Sequence, residues 1–289
     1  MPPLIQLLRP HQWVKNGFVL VGLLFGHAWT NPEMLAQVLA AFVAFCLISS
    51  AVYVMNDLID REPDRQHPEK RKRPLASGTV SVGAAVGLAT FCLAAGLGLV
   101  AGLCAGCGLP ASQAPWAFVA YVLMNVGYSL GLKHVVILDV FIIAAGFMLR
   151  ILAGTLGAGI QPSHWLLLCG LMLTLFLGFA KRRAEVNVTA GRGGAHRRVL
   201  DEYTVPMLDQ FITVAAGATV IAYSLYTVSE ETILLHGTPW LIATVPCVIY
   251  GLFRYLYRLQ RGGGGDPARE LLSDPQKRAS ERIQAYWTN

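Results

Sequence analysis

From Met34 to Met55 the chain carries no charged side chain, and further long apolar runs follow it. Roughly 20 apolar residues cross a bilayer as a helix. In lipid every peptide N–H and C=O needs a partner inside the protein, so only helices and closed barrels span it. These runs are continuously apolar and too long for barrel strands. Composition agrees, with 54% hydrophobic and 14% charged residues against roughly 25% charged in soluble domains. The expected fold is an all-α polytopic membrane protein.

About eight spanning helices are expected, near residues 17–29, 34–55, 80–103, 116–132, 137–156, 164–180, 207–228 and 240–257. The pairs Gly83/Gly87, Gly102/Gly106 and Gly127/Gly131 have the spacing that allows close helix contacts. Pro2, Pro3, Arg9 and Pro10 precede the first span, which does not read as a cleavable signal peptide. The six cysteines lie in apolar stretches and read as filler. Cys104 and Cys107 form a C-x-x-C without a second Cys or His pair near it in sequence. Residues 191–194 and 262–265 are glycine-rich and read as flexible loop and linker. The chain divides into a membrane domain, residues 1–258, and a polar cytoplasmic tail, residues 259–289.

The net charge of +6 does not point to nucleic acid, because the cations cluster in alternate loops. Arg9 and Lys15 precede the first span. Arg61, Arg65 and Lys70 to Arg73 fill the second loop, Lys133 the fourth, and Lys181 to Arg183 with Arg192, Arg197 and Arg198 the sixth. The intervening loops contain no Lys or Arg. The positive-inside rule then places both termini and every basic loop in the cytoplasm, in a multi-pass protein of the cell (inner) membrane.

Asn56, Asp57, Asp60 and Asp64 stand where the apolar run ends. Carboxylates are costly beside hydrocarbon and persist there to bind ions or do chemistry. Asp57, Asp60 and Asp64 are spaced i, i+3, i+7, and Asn56, Asp60 and Asp64 i, i+4, i+8, so either series lines one side of a helix. Pro63 is expected to put a bend before Asp64. Clustered oxygen ligands suit Mg²⁺, which takes one or two carboxylates plus substrate phosphates. The bland alternative is a solvated helix end.

The cations downstream make a phosphate clamp. Four consecutive basic residues cannot all face one ligand, so Lys70 and Arg73 are the favoured pair, the others facing water or anionic lipid heads. Lys15 stands at the mouth of the first span, and Tyr53 lies one turn before Asp57. Lys133 and His134 end the fourth span, and Lys181 closes the sixth. His67 and His134 read equally as bases or as ordinary loop histidines. Arg150, deep in an apolar stretch, is expected to face the bundle interior with an anionic partner or ligand. Asp139 is eleven residues away, roughly 16 Å along a helix axis, too far for a pair within that helix.

At Asn56 to Asp64, an N-D-x-x-D-x-x-x-D motif, the chain resembles the UbiA superfamily of intramembrane prenyltransferases. Within it, the chain is similar to the decaprenyl-phosphate phosphoribosyltransferase branch. The supporting stretches are Arg9 to Asn16, Asp64 to Arg71, Tyr128 to His134 and Lys181 to Glu185. The resemblance implies a helical bundle with a cytoplasmic-facing active-site cavity. It also implies transfer of phosphoribosyl from phosphoribosyl pyrophosphate to a polyprenyl phosphate, a step towards the arabinose donor for cell-wall arabinan. Many superfamily members carry a second aspartate-rich motif, where this chain has Asp139 alone, and usually nine spans, where this chain has a polar tail.

Asp57, Asp60 and Asp64 are then the catalytic acids, and Asn56, Asp60 and Asp64 the Mg²⁺ ligands. Lys15, Tyr53, Lys70, Arg73, Lys133, His134, Arg150 and Lys181 are the substrate-binding set. The expected partners are phosphoribosyl pyrophosphate, polyprenyl phosphate and the bilayer, with a homo-oligomer left open. One rival is prenylation of an aromatic acceptor from a polyprenyl diphosphate. Another is a transporter, against which the charges gather at one face rather than along a path.

Overall fold

The structure is a computed structural model that describes residues 2–25, 28–67, 70–106, 114–189 and 198–261, and among these it is helical without a strand. The chain enters through α1 (Pro3–Leu8), a 3-10 segment (Pro10–Leu20) and α2 (Val21–Phe25). The long helix α3 (Pro32–Ile59) starts cleanly, because the Asn31 side chain accepts from the N–H groups of Glu33 and Met34 and Pro32 needs no donor there. After it come α4 (Arg61–Gln66), a 3-10 turn (Lys70–Lys72), α5 (Val82–Gly106) and α6 (Ala114–Leu130). A second turn (Leu132–His134) leads into α7 (Leu138–Gly157) and α8 (His164–Thr189). Beyond a third turn (Arg198–Leu200) lie α9 (Val205–Val228), α10 (Glu230–His236), a 3-10 segment (Trp240–Thr244) and α11 (Val245–Gln260).

Among the described residues six helical stretches are long and apolar enough to cross a membrane: α3, α5, α7, α8, α9 and Trp240–Gln260. Two expected spans are not among these six. The fourth is the apolar helix α6, 17 residues long and close to its expected place. The first is not one helix but the 11-residue 3-10 segment followed by α2. A 3-10 helix rises about 2.0 Å per residue and an α-helix about 1.5 Å, so the two pieces together reach about 30 Å. The last helix runs to Gln260, just past the expected boundary at 258. The tail from residue 262, residues 191–194 with Arg192, Arg197 and Cys107 lie outside the described residues.

The core has two parts that share α7. Val19, Phe45, Ile48, Phe118 and Tyr121 pack with Leu149 of α7. Phe176, Phe179, Leu208, Ile212 and Leu252 pack with Val140 of α7. A smaller cluster of Leu7, Val54, Leu75, Val80 and Ala85 joins α1, the end of α3 and the start of α5.

The close approaches are not where the glycine pairs suggest. A Cβ at Gly83, Gly87 or Gly102 would meet nothing within 4 Å. A Cβ at Gly154 would lie 1.9 Å from the Val19 carbonyl oxygen. The 3-10 segment can lie against α7 only because that position is bare. Gly154→Ala should therefore destabilise the detergent-solubilised protein by about 1–3 kcal/mol, while Gly83→Ala leaves the melting temperature unchanged; equal shifts in a thermal-unfolding assay would contradict this packing.

Candidate active site

The acidic motif does not lie on one helix. Asp60, at φ −86° and ψ 8°, both closes α3 and opens α4. Its N–H donates to the Asn56 carbonyl at 2.9 Å, and its own carbonyl accepts from the Asp64 N–H at 2.8 Å. The bend thus falls at Asp60, ahead of Pro63, which sits in the first turn of α4 where its missing N–H costs no helix bond.

The bend brings Asp64 back beside Asp57, each only 3% exposed. One guanidinium nitrogen joins them: Arg73 Nη1 lies 3.0 Å from Asp57 Oδ1 and 2.6 Å from Asp64 Oδ2. Arg9 Nη2 adds a contact to Asp57 Oδ1 at 2.5 Å, and Lys70 Nζ lies 3.8 Å from Asp64 Oδ1. Asp60 is more open and pairs with Lys133, Nζ to Oδ1 2.8 Å. The Asn56 side-chain oxygen accepts from the Ser129 hydroxyl of α6.

Local bonds hold the cations in place. Arg61 Nε donates to the Leu75 carbonyl at 3.4 Å and Arg65 Nε to the Ala76 carbonyl at 3.2 Å. These fold the segment after the basic run back against α4, with Leu75 buried in the smaller core cluster. Arg9 sits between α1 and the 3-10 segment in the left-handed region, at φ 51°. Ser50, inside the apolar run, fixes that junction: its hydroxyl shares its proton between the Cys46 carbonyl at 2.7 Å and the Leu8 carbonyl at 2.9 Å and accepts from Trp13 Nε1 at 3.0 Å. The Arg9 guanidinium also lies 5.4 Å over the Tyr53 ring, a favourable cation–π placement.

Asn56, Asp57, Asp60, Asp64, Lys70, Arg73 and Lys133 thus come together at one end of the bundle, with Tyr53 under Arg9. Lys15 is half-buried in the 3-10 segment, while His134 and Lys181 are exposed. Arg150 is buried, but its protein partners are neutral rather than anionic. Its Nε donates to Asn16 Oδ1 at 2.9 Å, Nη1 to the Gly146 carbonyl at 2.8 Å and Nη2 to the Tyr121 hydroxyl at 3.1 Å. The rings of Phe45, Tyr121 and Phe147 face the guanidinium at 4.8–5.4 Å. Oxygen dipoles and aromatic faces meet its charge, and no ion pair with Asp139 forms.

Sequence reasoning left Arg9 and Ser129 out of the site. Both lie in stretches that carry the family resemblance, Arg9 to Asn16 and Tyr128 to His134; for Arg9 the adjacent Pro10 and the polar Ser50 in an apolar run were further signals. A second polar group lies next to the site. Asp139 is fully buried, with Oδ2 2.8 Å from Arg182 Nε as an ion pair rather than an aligned hydrogen bond. Its Oδ1 accepts from the Tyr203 hydroxyl at 2.7 Å. Burial, then the bond to Asp139, pushes the Tyr203 hydroxyl above its ordinary pKa, so it stays protonated.

Among the described residues no three His, Cys, Asp or Glu side chains converge as a ready metal cluster. Two carboxylates nonetheless share one cationic nitrogen at 3.0 and 2.6 Å. An all-oxygen pair around one positive charge fits Mg²⁺, which completes its shell with water and phosphate oxygens.

Residues 17–273 match the UbiA prenyltransferase family. The chain belongs to that family. A protein named decaprenyl-phosphate phosphoribosyltransferase in Corynebacterium glutamicum is 37% identical over 274 residues, covering 94% of this UbiA-family chain and 81% of that protein. The protein of the same name in Mycolicibacterium smegmatis is 34% identical over 281 residues, covering 94% and 86%. A solved UbiA homolog from Archaeoglobus fulgidus bound to GPP and Mg²⁺ shares the fold, with a TM-score of 0.69, 19% identity and coverage of 88% of this chain and 86% of that one.

The Arg150 arrangement uses a planar fork that lysine cannot reproduce. Arg150→Lys should lower stability by roughly 2 kcal/mol, read as a drop in the melting temperature of the purified protein; an unchanged melting temperature would mean that these bonds hold little of the fold.

Proposed function

We propose that this UbiA-family chain transfers a 5-phosphoribosyl group from phosphoribosyl pyrophosphate to a polyprenyl phosphate of the decaprenyl type, releasing pyrophosphate. The site end of the bundle faces the cytoplasm of the cell membrane, with both termini on that side. The observation that carries the choice of donor is the balance of charge. Arg9, Lys70, Arg73 and Lys133 all contact the motif's carboxylates. The further acid, Asp139, is held by Arg182 and Tyr203. This suits one metal-bound pyrophosphate and cations for the remaining phosphates. The two named relatives, each matching 94% of the chain, point the same way.

Asp57 and Asp64 would hold Mg²⁺, which would supply positive charge for the leaving pyrophosphate; Asp60 and Asn56, expected among the ligands, lie beside them and face Lys133 and Ser129. Arg73 and Lys70 are placed to bind phosphate oxygens of the donor, and Arg9 and Lys133 close the flanks. An oxygen of the acceptor phosphate attacks ribose C1 from the face opposite the pyrophosphate. The C1–O bond breaks and its electron pair leaves with pyrophosphate, so the ribose centre inverts. The acceptor phosphate is already ionised and needs no general base. Positioning and charge stabilisation of the oxocarbenium-like state supply the rate. The lipid tail stays in the bilayer and its phosphate meets the donor at the site end of the bundle.

The purified protein, given labelled phosphoribosyl pyrophosphate, polyprenyl phosphate and Mg²⁺, should form a labelled lipid and release pyrophosphate. Asp64→Asn should slow this by about a hundredfold or more. Label appearing only in a prenylated aromatic product, with a polyprenyl diphosphate as donor, would instead support ordinary prenyl transfer.

A further inference from the structure

The connection between α6 and α7 contains a strained residue. Ile137 has φ 69° and ψ −49°, a region that a β-branched side chain disfavours. Leu138 N–H donates to the Val136 carbonyl at 2.7 Å, which closes a γ-turn of the rare positive-φ kind. Such backbone persists only where its surroundings over-determine it.

Tyr203 supplies that restraint from the other half of the core. Its hydroxyl accepts from the Ile137 N–H at 2.7 Å and donates to Asp139 Oδ1 at 2.7 Å. Its ring is buried with Val199, Leu208 and Ile212. The charge of Asp139 is met in turn by Arg182 of α8. Just before the γ-turn, the 3-10 turn Leu132–His134 carries Lys133, whose ammonium reaches Asp60. Backbone bonds tie this turn to the clamp: Val135 N–H to the Leu132 carbonyl at 3.2 Å, and Asp139 N–H to the Val135 carbonyl at 3.0 Å. The lysine is thus fixed from its backbone side by a group whose hydroxyl bonds Ile137 and Asp139, outside the acidic motif.

We propose that Tyr203 is a positioning residue that holds Lys133 over the acidic motif by clamping the α6–α7 connection at Ile137. This rests on the transferase reading above for what Lys133 binds. Tyr203→Phe removes one oxygen, leaves the Ile137 N–H without its acceptor and frees the turn to relax. Lys133 then samples positions away from Asp60, and donor binding weakens.

The test is a double-mutant cycle on the full chain, with Tyr203→Phe, Lys133→Met and the pair, read as KM and kcat for labelled phosphoribosyl pyrophosphate alongside melting temperatures. Tyr203→Phe should raise KM about tenfold, with a smaller change in kcat. The pair should be no worse than Lys133→Met alone. Ile137→Gly should restore much of the loss in Tyr203→Phe, since glycine accepts positive φ without help. Multiplicative losses, or a lower melting temperature with KM unchanged, would overturn the proposal. Should Tyr203→Phe not fold alone, Tyr203→Phe with Ile137→Gly is compared with Ile137→Gly alone: a KM within about twofold of that background supports the clamp, and a roughly tenfold rise there overturns it. A wild type that forms no labelled lipid defeats the transferase reading instead. The cycle is then read from the melting-temperature shift given by Mg²⁺ with pyrophosphate, where additivity again overturns the clamp.

Discussion

One guanidinium between two buried carboxylates organises the acidic end of this protein. Asp57 belongs to α3 and Asp64 to α4, and Arg73 arrives from a segment that neither helix contains. A carboxylate at 3% exposure is costly unless its charge is met. The bend at Asp60 brings the two acids together, and Arg9 and Arg73 make that approach tolerable. In the proposed reaction the cations that offset the cost in the folded chain are those that bind the polyphosphate substrate. Mg²⁺ meeting the acids would leave the guanidinium groups to the phosphates, so one set of charges would serve both stability and binding.

The two parts of the core meet along α7, which carries both special polar positions. Arg150 points into the first part and is held by neutral oxygens and three aromatic rings. Asp139 points into the second and is held by Arg182 and Tyr203. Neither pairs with the other, although both lie on one helix in an apolar setting. The first ties the N-terminal 3-10 segment to α7 through Asn16. The second ties the α6–α7 connection to α8 and the segment before α9. The acidic motif sits where the first part and that connection meet.

Much of this was legible in the residues. The charge-free run from Met34 required a membrane helix, and the abrupt set Asn56 to Asp64 required a reason to sit beside hydrocarbon. Lys70 and Arg73 stood out as a phosphate clamp in the next loop, but their pairing with those acids appears only in the structure. The break at Asp60 was not legible, because i, i+3, i+7 spacing is compatible with a straight helix and Pro63 drew the bend to itself. The role of Arg9 depends on Ser50 and Trp13 fixing a junction across 37 residues of sequence. The 3-10 form of the first span was hidden too, since apolar length reports that a segment can cross and not how tightly it is wound. The glycine pairs misled for a related reason: spacing marks a bare helix face but not what lies against it, and the close contact falls at Gly154. The strain at Ile137 leaves no mark in the sequence, since isoleucine is a poor choice for such a turn and only the distant Tyr203 explains it.

In the proposed reaction Asp57 and Asp64 form a cation site completed by a diphosphate. The most direct measurement is the melting temperature of the detergent-solubilised protein with Mg²⁺ alone, pyrophosphate alone and both together, in the wild type and in Asp57→Asn. Binding to the folded state raises the melting temperature by mass action. A large shift is expected only when both are present, lost in Asp57→Asn. An equal shift from pyrophosphate without Mg²⁺, or a full shift retained in Asp57→Asn, would contradict it.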